Sequence, residues 1–261
     1  MKATELIVKC LENEGVDYIF GVPGEENMDL LDALLGSSIR VVVTRHEQGA
    51  AFMADVYGRL TGKAGVCLAT LGPGATNLIT GVADASMDRA PLVALTAQAA
   101  RDRMHKESHQ HLDIVTLFRS VTKWNTSLPT PDIIPEALRK AFKLAQSEKP
   151  GATHIEIPED VARMETDGQP LLVQWPHPGG AAADQVEKAA RIISDAAHPV
   201  VLAGNVLSGL PGPPRVLAAA IAQRFWFGAH SVGHLVLAVL TDSQQRVIEN
   251  GPLLKSRKVL P

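Results

Sequence analysis

A single glutamate, Glu47, stands at the junction of two differently patterned segments of the sequence. The β-branched run from Ile39 to Val43 predicts a strand, and the segment rich in small residues up to about Thr61 predicts a helix. In parallel α/β sheets such junctions share one rim, where ligands bind. The helix dipole alone also favours a carboxylate in a first turn, so position by itself assigns no role. Because Gly49 and the alanines after it allow close approach of another surface, we expect Glu47 to be covered and able to share a proton near neutral pH.

A glycine-rich turn from Gly72 to Asn77 is the second candidate for chemistry. It does not match the dinucleotide-binding fingerprint, because Asn77 stands where the third glycine is required, and the chain has no P-loop sequence. Such turns most often serve as tight connections. We interpret this one as a close approach to a flat ring rather than to a phosphate.

A polar stretch between the predicted elements contains a cluster of residues that could bind a metal: His105, Glu107, His109 and His111. The four-residue spacing of His105 and His109 suits a metal pair on a helix, but the segment is typical of a loop and no third ligand is set by spacing. We therefore predict no metal site here and expect a solvated or substrate-facing loop. His230 and His234 repeat the spacing with still less context.

The composition limits the classes of function. A hydrophobic content of 46% supports a packed core, and a net charge of -3 indicates neither a nucleic-acid partner nor an anionic membrane surface. No apolar run approaches the roughly 18 residues of a membrane span. The two cysteines, Cys10 and Cys67, lie in apolar segments and are predicted to be buried free thiols, which favours a reducing, cytoplasmic location.

Strand and helix patterns alternate with short connections, which predicts an α/β fold with a doubly wound parallel sheet over residues 1–167. A Pro- and Gly-rich linker (168–183) and a second, partial α/β domain (184–261) are expected to follow, although the pattern decays after Asn205. Within the first domain, we expect the strand at 39–43 to be buried on both faces.

Three further expectations concern local structure. Pro158 predicts that the strand from 154 to 158 is an edge strand, because proline donates no ladder hydrogen bond. Asn27 is expected to cap the helix that follows it. The adjacent Asp88 and Arg89 are expected to form a surface ion pair.

Taken together, five stretches resemble the pyrimidine-binding (Pyr) domain of thiamine-diphosphate enzymes, in particular of acetolactate synthase large subunits. The resemblance extends over roughly residues 1 to 205, and its motifs are jointly specific. The stretches are Phe20-Gly21-Val22-Pro23-Gly24-Glu25, Arg45-His46-Glu47-Gln48-Gly49-Ala50-Ala51, Tyr57-Gly58-Arg59, Leu71 to Asn77, and Met87-Asp88-Arg89-Ala90-Pro91-Leu92-Val93.

The resemblance implies specific roles for residues of this chain. Glu47 matches the glutamate that hydrogen-bonds N1′ of the cofactor aminopyrimidine and promotes its imino tautomer, which starts pyruvate decarboxylation and carboligation to a second 2-oxo acid. Gln110 matches an active-site glutamine. Four residues match positions near the pyrimidine: Pro23, Gly24, Pro73 and Asn77.

Two departures from the family pattern concern the cofactors. His109 before Gln110 is similar to the catabolic, flavin-independent type, and Glu159 stands where some members have lysine, so a requirement for FAD is in doubt. The family's diphosphate-binding (PP) domain carries a Gly-Asp-Gly motif that holds Mg²⁺ and diphosphate, and this motif does not occur in the 261 residues. The resemblance therefore implies the pyrimidine half of a thiamine-diphosphate site.

The expected partner follows from this half-site. We expect either a homodimer or association with a chain that carries a PP domain. Two alternatives remain: a non-catalytic truncated paralogue that dimerises with or regulates a full-length synthase, and another thiamine-diphosphate lyase or carboligase, such as an oxalyl-CoA decarboxylase. Glyoxylate carboligase is disfavoured because that family lacks the glutamate found here as Glu47.

Overall fold

The computed structural model describes residues 1–104, 106–147, 149–174, 181–195, 201–202 and 238–239. The chain forms two compact units, Met1–His177 and Pro178–Pro261, and each is considered by itself. The boundaries of the two predicted domains and of the linker stay predictions.

The first unit is built on a six-stranded sheet in which every pairing is parallel. Its strand order is β2-β1-β3-β4-β6-β5, so β1 has β2 on one side and β3 on the other. The chain therefore winds outward in both directions from β1, as in a doubly wound fold. The strands are β1 (Tyr18–Gly21), β2 (Arg40–Val43), β3 (Gly65–Ala69), β4 (Leu92–Gln98), β5 (Trp124–Ser127) and β6 (Ala152–Pro158).

Helices cover both faces of this sheet. The helices of the first unit are α1 (Ala3–Asn13), α2 (Met28–Leu34), α3 (Glu47–Thr61), α4 (Pro73–Met87), α5 (Ile114–Phe118), α6 (Ile134–Gln146) and α7 (Glu159–Arg163). One apolar core lies between the sheet and α1, α2 and α6, and a second lies between the sheet and α3, α4 and α5. Alternate strand residues enter the two cores: Val66 and Leu68 enter the first, and Cys67 and Ala69 the second. The predicted α/β fold with a parallel sheet is confirmed.

The alanines of α3 face the interior of the first unit. Ala50, Ala51 and Ala54 are fully buried, and α3 packs along α4. A Cβ atom added at Gly81 of α4 would lie 2.6 Å from Cβ of Ala51, so the helix axes approach unusually closely. The surface that approaches these alanines closely is therefore α4 of the same chain.

The guanidinium of Arg59 links the C-terminal parts of α3 and α4 by ion pairs. Arg59 of α3 pairs with Asp55 and Asp84, each at 2.8 Å, and with Asp88. Burial raises the pKa of the Asp55 carboxyl, and the hydrogen bonds and charge of Arg59 oppose that rise. The partner of Asp88 is thus Arg59, and the expected ion pair between Asp88 and Arg89 is wrong.

Two strands occupy positions that their sequences did not predict. β2 pairs only with β1 and is an edge strand in which Val43 is 64% exposed, so its expected burial on both faces is wrong. β6 lies between β4 and β5 and is buried throughout, so it is not an edge strand. Pro158 is tolerated there because it is the last residue of the strand.

Asn27 closes a turn instead of capping a helix. Its side-chain oxygen accepts a hydrogen bond from the Gly24 amide at 2.9 Å, and its amide nitrogen donates to the Val22 carbonyl at 3.2 Å. The expected hydrogen bond to the start of α2 is not made. Asn27 instead fixes the shape of the loop that follows β1.

The described part of the second unit contains α8 (Ala183–Asp195) and an antiparallel pair, β7 (Val201–Leu202) with β8 (Ala238–Val239). The first helix and strand match the expected α/β start. His230 and His234 lie outside the described residues. Within the described parts of the chain, no helix is both long and apolar enough to cross a membrane.

We expect the buried imidazole of His154 to make the fold acid-sensitive. His154 stacks on Phe118 and shares a 2.8 Å hydrogen bond with Thr96 through Nε2, and burial lowers its pKa to about 3. Between pH 6.5 and 3 the unfolded chain therefore binds a proton that the folded chain does not, so stability is lost as pH falls below 6.5. By pH 5 this loss amounts to about 2 kcal/mol.

His154→Gln removes the titrating ring and keeps a polar partner for Thr96. Urea unfolding at pH 7.5 and pH 5 should show the variant losing about 2 kcal/mol less than the parent chain over this interval. An equal loss in both proteins would show that His154 is not the source of the acid sensitivity.

Candidate functional site

The candidate residues gather at the carboxyl edge of the sheet, beside β1. The loops that follow β1, β2 and β3 all leave from this edge, because the three strands are parallel neighbours. The strand order reverses its direction at β1, and the crevice at such a switch point is the usual binding position in open α/β sheets. The fold therefore places Gly24, Glu47 and the turn from Gly72 on one rim.

Glu47 is held by a partner from the neighbouring helix. Its Oε2 accepts a hydrogen bond of 3.0 Å from Nδ2 of Asn77 in α4. Both side chains are half-buried, and Oε1 has no hydrogen-bond partner among the described residues. One carboxylate oxygen is thus fixed, and the other remains able to accept a hydrogen bond from a ligand.

The side chain of Thr70, directly after β3, packs against Gly24 and Gly74 next to the Glu47 carboxylate. A Cβ added at Gly24 would lie 2.5 Å from Cβ of Thr70, and one added at Gly74 would lie 2.8 Å from its Cγ2. The added Gly74 atom would also lie 3.4 Å from Oε1 of Glu47. The hydroxyl of Thr70 donates to Oε2 of Glu26 at 2.7 Å. Sequence reasoning did not identify Thr70, since a threonine after a strand carries no motif signal.

Gln110 is brought to the same turn through its backbone. It has φ of 54°, in the left-handed region that non-glycine residues rarely adopt. Its carbonyl oxygen would lie only 2.5 Å from a Cβ at Gly72, which itself has φ of 55°. A strained backbone of this kind costs roughly 1–3 kcal/mol and persists only where its surroundings enforce it. The glutamine side chain is exposed beside the Gly72 turn.

The remaining predicted residues lie at the margins of this arrangement. Pro23 is exposed directly before Gly24, and Pro73 is exposed as the first residue of α4. His109 is also exposed, and no group of metal-ligating side chains forms among the residues that the structure describes; His105 lies outside them, so its pairing with His109 stays untested. Glu159 forms an ion pair with Arg163 at 2.6 Å, which accounts for its carboxylate without a role in the site.

A second carboxylate near the rim was missed. Glu156 in β6 is 3% exposed and accepts a hydrogen bond from Gln98 of β4. Burial raises the pKa of the Glu156 carboxyl, and hydrogen bonds from Ser127 and Gln98 oppose the rise. Gln98 and Glu156 are 58 residues apart in sequence, so only the strand order reveals that they form a pair.

The fold and the rim define a class of protein, an α/β ligand-binding domain with a carboxylate at its switch point. Residues 1–117 match the family model of the thiamine pyrophosphate enzyme, N-terminal TPP binding domain. The chain thus contains this domain, and the resemblance seen in its motifs is confirmed.

Several relatives narrow the comparison to acetolactate synthases. A probable acetolactate synthase large subunit of Methanocaldococcus jannaschii is 42% identical over 218 residues, which cover 80% of this chain and 37% of the relative. The acetolactate synthase of Bacillus subtilis is 41% identical, with 78% and 36% covered. The catabolic acetolactate synthase of Raoultella terrigena is 40% identical, with 78% and 37% covered. The chain therefore matches little more than a third of the length of these relatives.

The contact between Gly72 and Gln110 leads to a stability prediction. Gly72→Ala places a Cβ against the Gln110 carbonyl and requires a φ that alanine rarely adopts. We expect the free energy of unfolding, measured with urea, to fall by about 2–4 kcal/mol.

Gly49→Ala is the matched control. Gly49 lies in the first turn of α3, and nothing lies within 4 Å of an added Cβ. Because alanine is the better helix former, stability should stay the same or rise by up to about 1 kcal/mol. Equal losses in the two variants would contradict the proposed close contact at Gly72.

Proposed function

We propose that this chain supplies the pyrimidine-binding half of an acetolactate-synthase-like site, which decarboxylates pyruvate and joins the product to a second 2-oxo acid. The observation that carries the proposal is the Glu47 carboxylate, fixed by Asn77 through one oxygen and open at the other, at the switch point of the sheet. The thiamine pyrophosphate domain and the acetolactate synthase relatives support thiamine diphosphate as the cofactor.

The residues of the rim fit the flat aminopyrimidine of that cofactor. Oε1 of Glu47 is available as an acceptor for a ring N–H, and beside it Gly24 and Gly72 are packed within the chain against Thr70 and Gln110. When bound, thiamine diphosphate supplies the electron sink that makes decarboxylation of a 2-oxo acid feasible. The rim offers no cluster of acidic ligands for Mg²⁺ among the described residues.

Each residue of the site has a distinct task in this proposal. Glu47 accepts and returns a proton at the ring nitrogen, and Asn77 holds the carboxylate in the required orientation. Gln110, exposed next to the Gly72 turn, offers its amide to the carboxylate or carbonyl of the 2-oxo acid. Diphosphate and Mg²⁺ are bound by a PP domain of a partner subunit.

The outer face of α3 is the proposed contact for that partner. It forms an apolar depression of about 540 Å³ that begins at Gly49, two residues from Glu47. Its large side chains are exposed to solvent, Phe52 by 37%, Met53 by 47% and Val56 by 49%. Contiguous exposed apolar surface of this kind marks an interaction site. A partner bound at this face would cover the Glu47 carboxylate.

A mixed complex tests the role of Glu47. A full-length acetolactate synthase, such as that of Bacillus subtilis, is prepared with its own matching glutamate replaced by glutamine, so that it supplies a PP domain but no active carboxylate. Addition of this chain with pyruvate, Mg²⁺ and thiamine diphosphate should restore acetolactate formation. The Glu47→Gln chain should restore at least 100-fold less, the usual effect of losing a proton-transfer group.

The non-catalytic alternative gives a different result in this assay. A non-catalytic paralogue would bind the synthase without restoring activity, and equal rescue by the parent and Glu47→Gln chains would contradict the role of Glu47. Acetolactate formation by this chain alone would contradict its dependence on a partner.

The partner contact is tested separately by Val56→Asp on the outer face of α3. A buried, unpaired charge in an apolar interface is costly, so the dissociation constant for the synthase should rise at least tenfold. Leu35→Asp is the control, because Leu35 is 85% exposed and follows α2, on the opposite face of the sheet. Sedimentation velocity measures the dissociation constant of each variant for the synthase. An unchanged dissociation constant for Val56→Asp would show that α3 is not the contact.

A further inference from the structure

A buried pair of side chains lies beneath the loop that carries Gln110. Gln98, the last residue of β4, is 1% exposed, and Glu156 of the adjacent strand β6 is 3% exposed. Nε2 of Gln98 donates to Oε2 of Glu156 at 2.9 Å. A carboxylate at this depth is retained only where its hydrogen bonds offset the loss of water.

Every hydrogen-bonding group of the Gln98 amide is used. Its Nε2 also donates to the Leu112 carbonyl at 2.8 Å, and its Oε1 accepts from the Ala99 amide at 3.0 Å. Because Glu156 accepts one N–H, the second N–H of the same group is directed at Leu112. A flipped amide would place an oxygen against both the carboxylate and the carbonyl. Glu156 thus fixes the orientation that Gln98 needs to bind the loop.

The bond to Leu112 anchors the loop two residues beyond Gln110. Immediately afterwards, Asp113 caps α5 by accepting a hydrogen bond from the Thr116 amide at 3.0 Å. On the other side of Gln110 the segment is held to the rest of the fold by Arg101, whose amide donates to Asp160 at 3.0 Å. The left-handed backbone of Gln110 therefore lies between these two hydrogen bonds.

We propose that Glu156 is a positioning residue that, through Gln98 and the Leu112 carbonyl, holds Gln110 in its left-handed conformation against the Gly72 turn. The proposal rests on the proposed function only for the task of the Gln110 side chain. The mechanical part, in which a buried carboxylate orients an amide that restrains a loop, stands on the hydrogen bonds alone.

Substitutions at Gln98 and Glu156 distinguish a pair that anchors the loop from a pair that only links two strands. Glu156→Gln keeps an oxygen that accepts from Gln98, so it should preserve the loop. Gln98→Glu removes both donors and sets two carboxylates side by side, so both the pair and the loop anchor should be lost.

The double variant Gln98→Glu/Glu156→Gln separates loss of the hydrogen bond between the pair from loss of the loop anchor. Its new glutamine donates to the new glutamate, and the glutamate can still accept from the Ala99 amide, so the pair regains a hydrogen bond. A carboxylate has no N–H for the Leu112 carbonyl, so the loop anchor stays broken. This variant is expected to fold, because the two strands share a side-chain hydrogen bond again and only the Leu112 carbonyl loses its donor.

Amide hydrogen exchange on the full chain, resolved to residues 106–113 and to the strands, provides the readout. Glu156→Gln should exchange like the parent chain. The double variant should keep parental strand protection and melting temperature within a few degrees, and exchange at least tenfold faster in residues 106–113. In the mixed complex it should restore acetolactate formation at least tenfold more slowly than the parent.

The outcomes separate this proposal from the proposed function. Parental loop protection in the double variant, or faster loop exchange in Glu156→Gln, would overturn the positioning role whether or not acetolactate forms. Fast loop exchange with no acetolactate from the parent chain would support the positioning role and count against the function. If the double variant fails to fold, the pair is not interchangeable and the proposal is overturned.

Discussion

The site depends on the close approach of α3 and α4. Ala51 faces Gly81 across this helix pair so tightly that a single added methyl group would clash. The approach sets Nδ2 of Asn77 in α4 3.0 Å from Oε2 of Glu47 at the start of α3. A larger residue at either contact would separate the helices and leave the carboxylate without its partner. The small residues of α3 therefore serve the site from within the chain.

The same packing explains why α3 has two different apolar faces. Its buried side carries alanines because α4 and the sheet leave no room, and on its outer side Phe52, Met53 and Val56 are left exposed by the residues that the structure describes. An isolated domain has no structural reason to expose three large side chains on one helix. The proposed partner contact gives that face a function next to the carboxylate.

The sequence predicted the elements around the site well, because their ends carry local chemical signals. Gly62 ends α3 with φ of 72°, as predicted. The start of α4 was placed too late: Pro73 opens the helix, so the predicted turn from Gly72 to Asn77 is for the most part helical. β5 was not predicted, since its four residues from Trp124 to Ser127 are half-buried and lack an apolar pattern. The position of a strand in the sheet depends on the direction of each crossover, which local pattern does not encode.

The sequence also did not predict which side chains pair when they are far apart along the chain. These pairs matter most for the site. Asn77 was identified only through the resemblance, and its bond to Glu47 became visible once the helices were placed. Gln98 and Glu156 carry no motif and meet only because β4 and β6 are neighbours. Thr70 likewise carries no signal in the sequence, although Gly24 and Gly74 both pack against it.

The central claim is that Glu47 hydrogen-bonds the pyrimidine ring of a bound cofactor, and equilibrium binding tests it most directly. Thiamine diphosphate and an analogue with C–H in place of the pyrimidine N1′ are titrated into the mixed complex, with Mg²⁺, using the parent and Glu47→Ala chains. The parent should prefer thiamine diphosphate by at least tenfold, since a hydrogen bond to a charged group contributes about 1.5–3 kcal/mol. That preference should vanish with Glu47→Ala; an equal preference in both complexes would contradict the claim.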